Sequence, residues 1–195
     1  DLNDPRTIRD SRLASQLEGL EGDAYKEKLG ELQLKQWRSK AINDTYEPGS
    51  TFKIITLAMA LEEGVINENS SFYCGGSINV PGWPKPIYCS KHAGHGQQTL
   101  AQAVANSCNP AFISIGLKVG TEKFYQYVKD FGFLETTGID LQGEGKGIFF
   151  SEKDFGKNVV SLASAAFGQT FTVTPIALVT AEAAAVNGGY LRQPY

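Results

Sequence analysis

Apolar positions along this chain follow two kinds of pattern. From Arg12 to about Lys40, Leu13, Leu17 and Leu20 recur at helical spacing inside a charge-rich stretch, which predicts a solvated surface hairpin, and residues 1–11 before it read as loop. After the breaker Pro48-Gly49, the run Ser50-Thr51-Phe52-Lys53-Ile54-Ile55-Thr56-Leu57-Ala58-Met59-Ala60-Leu61 predicts a helix apolar nearly all round and closed by Gly64. Such a helix belongs in a core, so Ser50 and Lys53 in its first turn are polar groups that burial must accommodate.

Residues 65–97 are rich in Gly, Pro and Ser and predict a long irregular excursion. Helical patterning resumes from about Gln98 to Asn106, breaks at Ser107-Cys108-Asn109-Pro110, and continues through Lys118 to Gly120. Thr121 can cap a short helix from Glu122 to Asp130. Residues 131–172 read as turns and short extended pieces. The cluster Gly143, Gly145 and Gly147 is a turn rather than a phosphate loop, because no helix follows and no Lys-Ser/Thr stands at the right spacing. Thr174-Pro175 opens a last helix through Val186, stopped by Gly188-Gly189, and no internal repeat is visible.

Composition narrows the classes. At 195 residues, 42% hydrophobic and 20% charged, the chain has an ordinary globular make-up, and its net charge of -3 supplies no basic field for nucleic acid. No apolar run reaches the roughly 18–20 residues of a membrane span, and Asp1-Leu2-Asn3-Asp4 does not open a signal peptide, so an anchor is expected outside this chain. Cys74, Cys89 and Cys108 are an odd number, so at least one thiol stays free, binds metal or pairs between chains.

Ser50 and Lys53, three apart on a helix, share a face, and the amine can reach the hydroxyl. A lysine is a base only when neutral, and both an apolar burial site and the positive end of a helix favour that form. The bland alternative is a capping serine and an ordinary lysine. Ser107-Cys108-Asn109 lies between two helices, where residues i and i+2 of a tight turn point into one cleft. There a serine can relay a proton, and an asparagine amide can hold both the lysine and a substrate carbonyl. Its bland reading is a helix-ending asparagine. Ser77-Ile78-Asn79 has the same spelling but no helical support.

Together, Ser-x-x-Lys and Ser-x-Asn resemble the penicillin-binding protein and serine beta-lactamase superfamily. The longer strings Ala41-Ile42-Asn43-Asp44-Thr45-Tyr46-Glu47-Pro48-Gly49-Ser50-Thr51-Phe52-Lys53, His95-Gly96, Thr99-Leu100, Asn106-Ser107-Cys108-Asn109, Phe167-Gly168-Gln169 and Asn187-Gly188-Gly189 are similar to class B penicillin-binding proteins, and they cover nearly the whole chain. The resemblance implies Ser50 as acylated nucleophile, Lys53 as general base, and Ser107 and Asn109 as the second motif. It implies a D,D-transpeptidase that takes peptidoglycan stem peptides ending in D-Ala-D-Ala, is trapped by beta-lactams and needs no cofactor. It also implies a membrane-anchored parent protein, working with the cell-wall synthesis machinery on the extracytoplasmic face.

One departure stands out: no Lys-Thr-Gly or Lys-Ser-Gly occurs, and Lys118-Val119-Gly120 falls at a helix end. The expectation is therefore a mostly helical α+β subdomain of the transpeptidase fold, residues 1–195 forming part of one domain. Its flanking sheet strands are expected to be largely absent and its end to precede the Lys-Thr-Gly strand, which implies poor turnover by these residues alone, since each lost oxyanion donor costs ~10²–10³ in rate.

Cys74, Cys89, His92 and His95 fall close together in the excursion, and three readings stay open: a structural zinc, a Cys74–Cys89 disulfide, or free thiols with exposed histidines. Some class B members hold a zinc near the second motif. With metal, the ligands would be Cys74, Cys89 and His95, with His92 or Cys108 as the fourth. Two further functional readings remain: a serine beta-lactamase or penicillin sensor, for which Glu144 is a downstream carboxylate, and a non-catalytic interaction module docking through residues 12–40.

Overall fold

The computed structural model describes residues 4–195, so the first three residues of the expected loop at 1–11 lie outside the described residues. Helices α1 (Ser11–Ala14) and α2 (Gly22–Trp37) flank a 3-10 turn at Ser15–Leu17. Leu13, Leu17 and Leu20 therefore sit on separate pieces rather than on one helix. Gly19 and Gly22, at φ 74° and 60°, bend the chain where the leucine spacing alone suggests continuity. Only Leu32 of α2 is buried, as a solvated face requires, and α3 (Lys40–Asn43) returns the chain to the core through Ile42.

The apolar helix begins later than the hydrophobic run suggests. Gly49–Phe52 is a 3-10 turn, and α4 spans Lys53–Glu62. Side chains at i and i+3 eclipse in a 3-10 turn, so Ser50 and Lys53 remain on one side of the chain. Nor is α4 buried all round, since Ile54 and Leu61 are each 44% exposed.

The excursion is more regular than its composition suggests. Strands β1 (Ser71–Cys74), β2 (Ser77–Ile78), β3 (Ile87–Tyr88) and β4 (Gly96–Thr99) form two antiparallel ribbons, β1 with β4 and β2 with β3. Ser77 thus belongs to a strand, paired with Tyr88, and not to a second catalytic turn. Gln98 lies within strand β4 rather than opening a helix. Thr99 caps α5 (Leu100–Ala105) through a capping box with Gln102, whose side chain returns to the Thr99 N–H.

Next come α6 (Asn109–Val119) and α7 (Thr121–Asp130), joined by Gly120 alone; this glycine at φ 81°, and not Thr121, makes the junction. Two helices escape the periodicity, α8 (Glu152–Lys157) and α9 (Val159–Ala165), capped by Ser151 and Asn158. In α9 nearly every side chain is buried, so no polar face marks it as helical. The last helix, α10 (Pro175–Val186), starts on the Thr174 cap with proline in its first turn, as expected.

Among the described residues the molecule is α+β and mostly helical. Its core packs α4 and α9 against α6, where Gly116 lets the backbones close: a Cβ there would stand 2.5 Å from that of Ala166. Phe52, fully buried, anchors the turn that carries Ser50, with ring centroids 4.8 Å from Phe171 and 5.3 Å from Phe133.

Candidate active site

Three segments build the site. The 3-10 turn presents Ser50 to solvent, with no hydrogen bond on its hydroxyl among the described residues; it caps nothing, and the turn's N-cap is Pro48. Behind the turn runs Phe167-Gly168-Gln169. Gly49 N–H donates to the Gly168 carbonyl at 2.8 Å, and a Cβ on Gly168, at φ 83°, would lie 1.9 Å from the Gly49 carbonyl oxygen. Only glycine allows that approach. The Thr170 N–H donates to Glu47 Oε1 at 3.1 Å, adding a second tie between these segments.

The second segment is the turn between α5 and α6. Ser107 adopts φ 47°, unusual for a side-chain-bearing residue, and this reversal aims both Ser107 and Asn109 at Lys53. Lys53 is 4% exposed, and Nζ donates to the Ser107 carbonyl (2.7 Å), Ser107 Oγ (2.9 Å) and Asn109 Oδ1 (2.8 Å). All three ammonium protons are thereby used, none on Ser50. The Phe112 ring lies 5.3 Å from Nζ. Burial lowers the lysine pKa to about 8, against the opposing pull of Cys89 and Cys108. Ser50, Lys53 and Ser107 line one small cleft of about 230 Å³ with Ile54, Leu57, Val104 and Phe112, so the hydroxyl and amine share a space with apolar walls.

The third segment is the pair of ribbons. Asn109 Nδ2 donates to the Tyr88 carbonyl at 3.1 Å, which ties the second motif to the excursion. Beside it Cys74, Cys89, His95 and Cys108 converge, with all four ligand atoms within 4.8 Å of one another and Cys89 Sγ 3.6 Å from His95 Nδ1. The three thiols are free, with no disulfide between Cys74 and Cys89. His92 does not join them: it stacks on Tyr88 at 5.3 Å, and Cys108 takes the fourth place. Burial pushes the Cys108 thiol up to about 11. Burial acts on Cys89 in the same direction, but hydrogen bonds from the backbone of Lys91 and Asn109, and from Cys74 and Cys108, outweigh it and lower its pKa.

Glu144 is occupied elsewhere. Its carboxylate accepts from the Thr137 N–H (2.6 Å), Thr137 Oγ1 (2.7 Å) and the Gly138 N–H (3.1 Å), bracing a turn.

Fold and site together define a protein whose mostly helical core sets a Ser-x-x-Lys first motif beside a Ser-x-Asn second motif. The penicillin binding protein transpeptidase domain model matches residues 10–195, and the chain belongs to that family. It is similar to stage V sporulation protein D of Bacillus subtilis, 52% identical over 159 residues, covering 81% of this chain and 24% of that protein. It is also similar to the peptidoglycan D,D-transpeptidase MrdA of Haemophilus influenzae, 28% identical over 186 residues, covering 92% of this chain and 28% of that protein. The chain thus spans about a quarter of the length of these relatives. Among solved structures it resembles the penicillin-binding protein PBP2 of Helicobacter pylori, with TM-score 0.74 at 28% identity, covering 89% of this chain and 34% of that one. It shares its fold with Pseudomonas aeruginosa PBP2, with TM-score 0.75 at 22% identity, covering 90% of this chain and 41% of that one.

Proposed function

We propose that this chain carries the nucleophile half of a peptidoglycan D,D-transpeptidase site, acting through an acyl-serine and open to beta-lactams. One observation carries the reading: an exposed serine hydroxyl and a buried, pKa-lowered amine share a cleft, and the Ser107-x-Asn109 turn holds that amine. When Lys53 is neutral, its lone pair can take the Ser50 proton while the oxygen attacks the penultimate D-Ala carbonyl. An ester forms, the amide bond to the terminal D-Ala breaks, and the amine that leaves takes its proton from Lys53 through Ser107. An acceptor amine on a neighbouring stem peptide then displaces Ser50 by the reverse route. Asn109 holds the lysine through Oδ1 and is itself held by Tyr88.

Relatives named peptidoglycan D,D-transpeptidases support a cell-wall role, and the site of action proposed is the extracytoplasmic face of the bacterial cell membrane. No helix among the described residues is long and apolar enough to cross a membrane.

The beta-lactamase reading loses support because Glu144 is committed to its own turn. The reading of Ser50 as a mere cap loses support because it caps nothing. Mass spectrometry of the chain after prolonged exposure to a penicillin tests the proposal. One adduct on the peptide containing Ser50, absent in Ser50→Ala, is expected; an adduct that persists in Ser50→Ala, or none at all, refutes it.

The thiol cluster fits zinc. A tetrahedral site with Zn–S bonds of ~2.3 Å sets its sulfurs roughly 3.8 Å apart, inside the observed spread of 4.8 Å. Cys74, Cys89, His95 and Cys108 would hold the ion and fill all four positions, so its contribution is structural. Cys108 lies between Ser107 and Asn109, so a bound ion would hold the turn that grips Lys53.

A further inference from the structure

Gln98 is the buried polar group that the site so far leaves unexplained. It is 3% exposed, and its Nε2 has no hydrogen-bond partner among the described residues. A buried N–H left without an acceptor costs about 1–3 kcal/mol, so such a group calls for a reason. Its position gives one. Gln98 pairs with Phe72 across β1 and β4, two residues along from the Cys74–Gly96 pair, so its side chain is directed into the same buried face as Cys74. From there it meets the second-motif turn: Asn106 Nδ2 donates to Gln98 Oε1 at 2.8 Å, which fixes the carboxamide by its oxygen. That places the carboxamide as a side-chain neighbour of Cys108, two residues on from Asn106.

We infer that Gln98 is a positioning residue of the metal cluster, donating its free Nε2–H to the Cys108 thiolate once Cys74, Cys89, His95 and Cys108 hold a divalent cation. The inference rests on the zinc reading above. A metal-bound thiolate carries negative charge that an N–H aimed at its sulfur stabilises; in exchange the sulfur satisfies the orphan donor. Asn106 supplies the orientation. The contact joins β4 to the residue between Ser107 and Asn109, so the ribbon and the catalytic turn would be locked together through one sulfur.

Cobalt(II), which reports thiolate ligation by its charge-transfer absorption, is the probe, titrated into the reduced chain against a competing chelator. Gln98→Met keeps the length and removes the donor; Gln98→Glu keeps an acceptor for Asn106 but has no N–H. Both are expected to bind cobalt ~10-fold or more weakly and to shift the sulfur-to-metal band to lower energy, because a thiolate stripped of a donor is more electron-rich. Asn106→Ala, which leaves the N–H but frees the carboxamide, is expected to show a smaller change of the same sign. If the unmodified chain binds one cobalt and both Gln98 variants match it in affinity and band position, Gln98 only packs, and the inference fails while the metal reading survives. If the unmodified chain binds no cobalt, both fall.

Discussion

Lys53 shows how one residue can be legible in type and illegible in geometry. The Ser-x-x-Lys spacing puts the amine near Ser50, and burial makes a neutral amine accessible. Only the folded chain shows that its three protons go to Ser107 and Asn109, across 54 and 56 residues of sequence. In the proposed acylation the reacting form is the neutral amine, and with its pKa lowered to about 8 the acylation of Ser50 should speed up as pH rises through that value and level off above it. Lys53→Arg, which stays charged, should lose that limb and ~10²–10⁴ in rate. Stopped-flow penicillin acylation against pH checks both, and a flat profile would count against Lys53 as base. Cys108 is the opposite case. Its partners come from the end of β1, the residue after β3 and the residue before β4, and His92, nearer in sequence to Cys89, stacks on Tyr88 instead.

At the scale of elements, caps and breakers were readable and buried segments were not. Thr174-Pro175 and the Gly188-Gly189 stop mark α10 because capping chemistry is local. Helix α9 stays hidden because burial on all sides erases the polar face that a period needs. The excursion hid its ribbons too, since pairing Cys74 with Gly96 depends on a contact 22 residues away and not on composition. The string Phe167-Gly168-Gln169 was visible as a motif, but its job was not: its glycine lets the backbone run against Gly49. Gly168→Ala should therefore lower stability by about 1–3 kcal/mol and slow acylation. Gly156→Ala, whose added methyl meets nothing within 4 Å, should leave stability unchanged or raise it slightly. Thermal melts of the two variants side by side test the contrast, and equal melting temperatures would contradict it.

For the whole molecule, the zinc proposal makes a prediction about stability. Protein prepared under reducing conditions should hold one zinc per chain. With metal at ~100 times its Kd the stabilisation is about 2.7 kcal/mol, so removing it should lower Tm by roughly 5–10 °C. It should also slow acylation of Ser50, because the Ser107–Asn109 turn loses its anchor. Elemental analysis and calorimetry, before and after a strong chelator, decide the matter; no bound metal, or an unchanged Tm, would end the proposal.

By itself the amino-acid order determined much of the helical framework around Ser50, the Ser50–Lys53 pairing on one side of the chain, and the Ser-x-Asn turn. Each is set by neighbours within about one helical turn, where spacing, caps and breakers act. Tertiary structure decided the rest: which groups hold the lysine, which histidine joins the cysteines, and why Gly168 must be glycine. Those outcomes depend on groups brought together from 6 to more than 100 residues apart, and it is packing that brings them there.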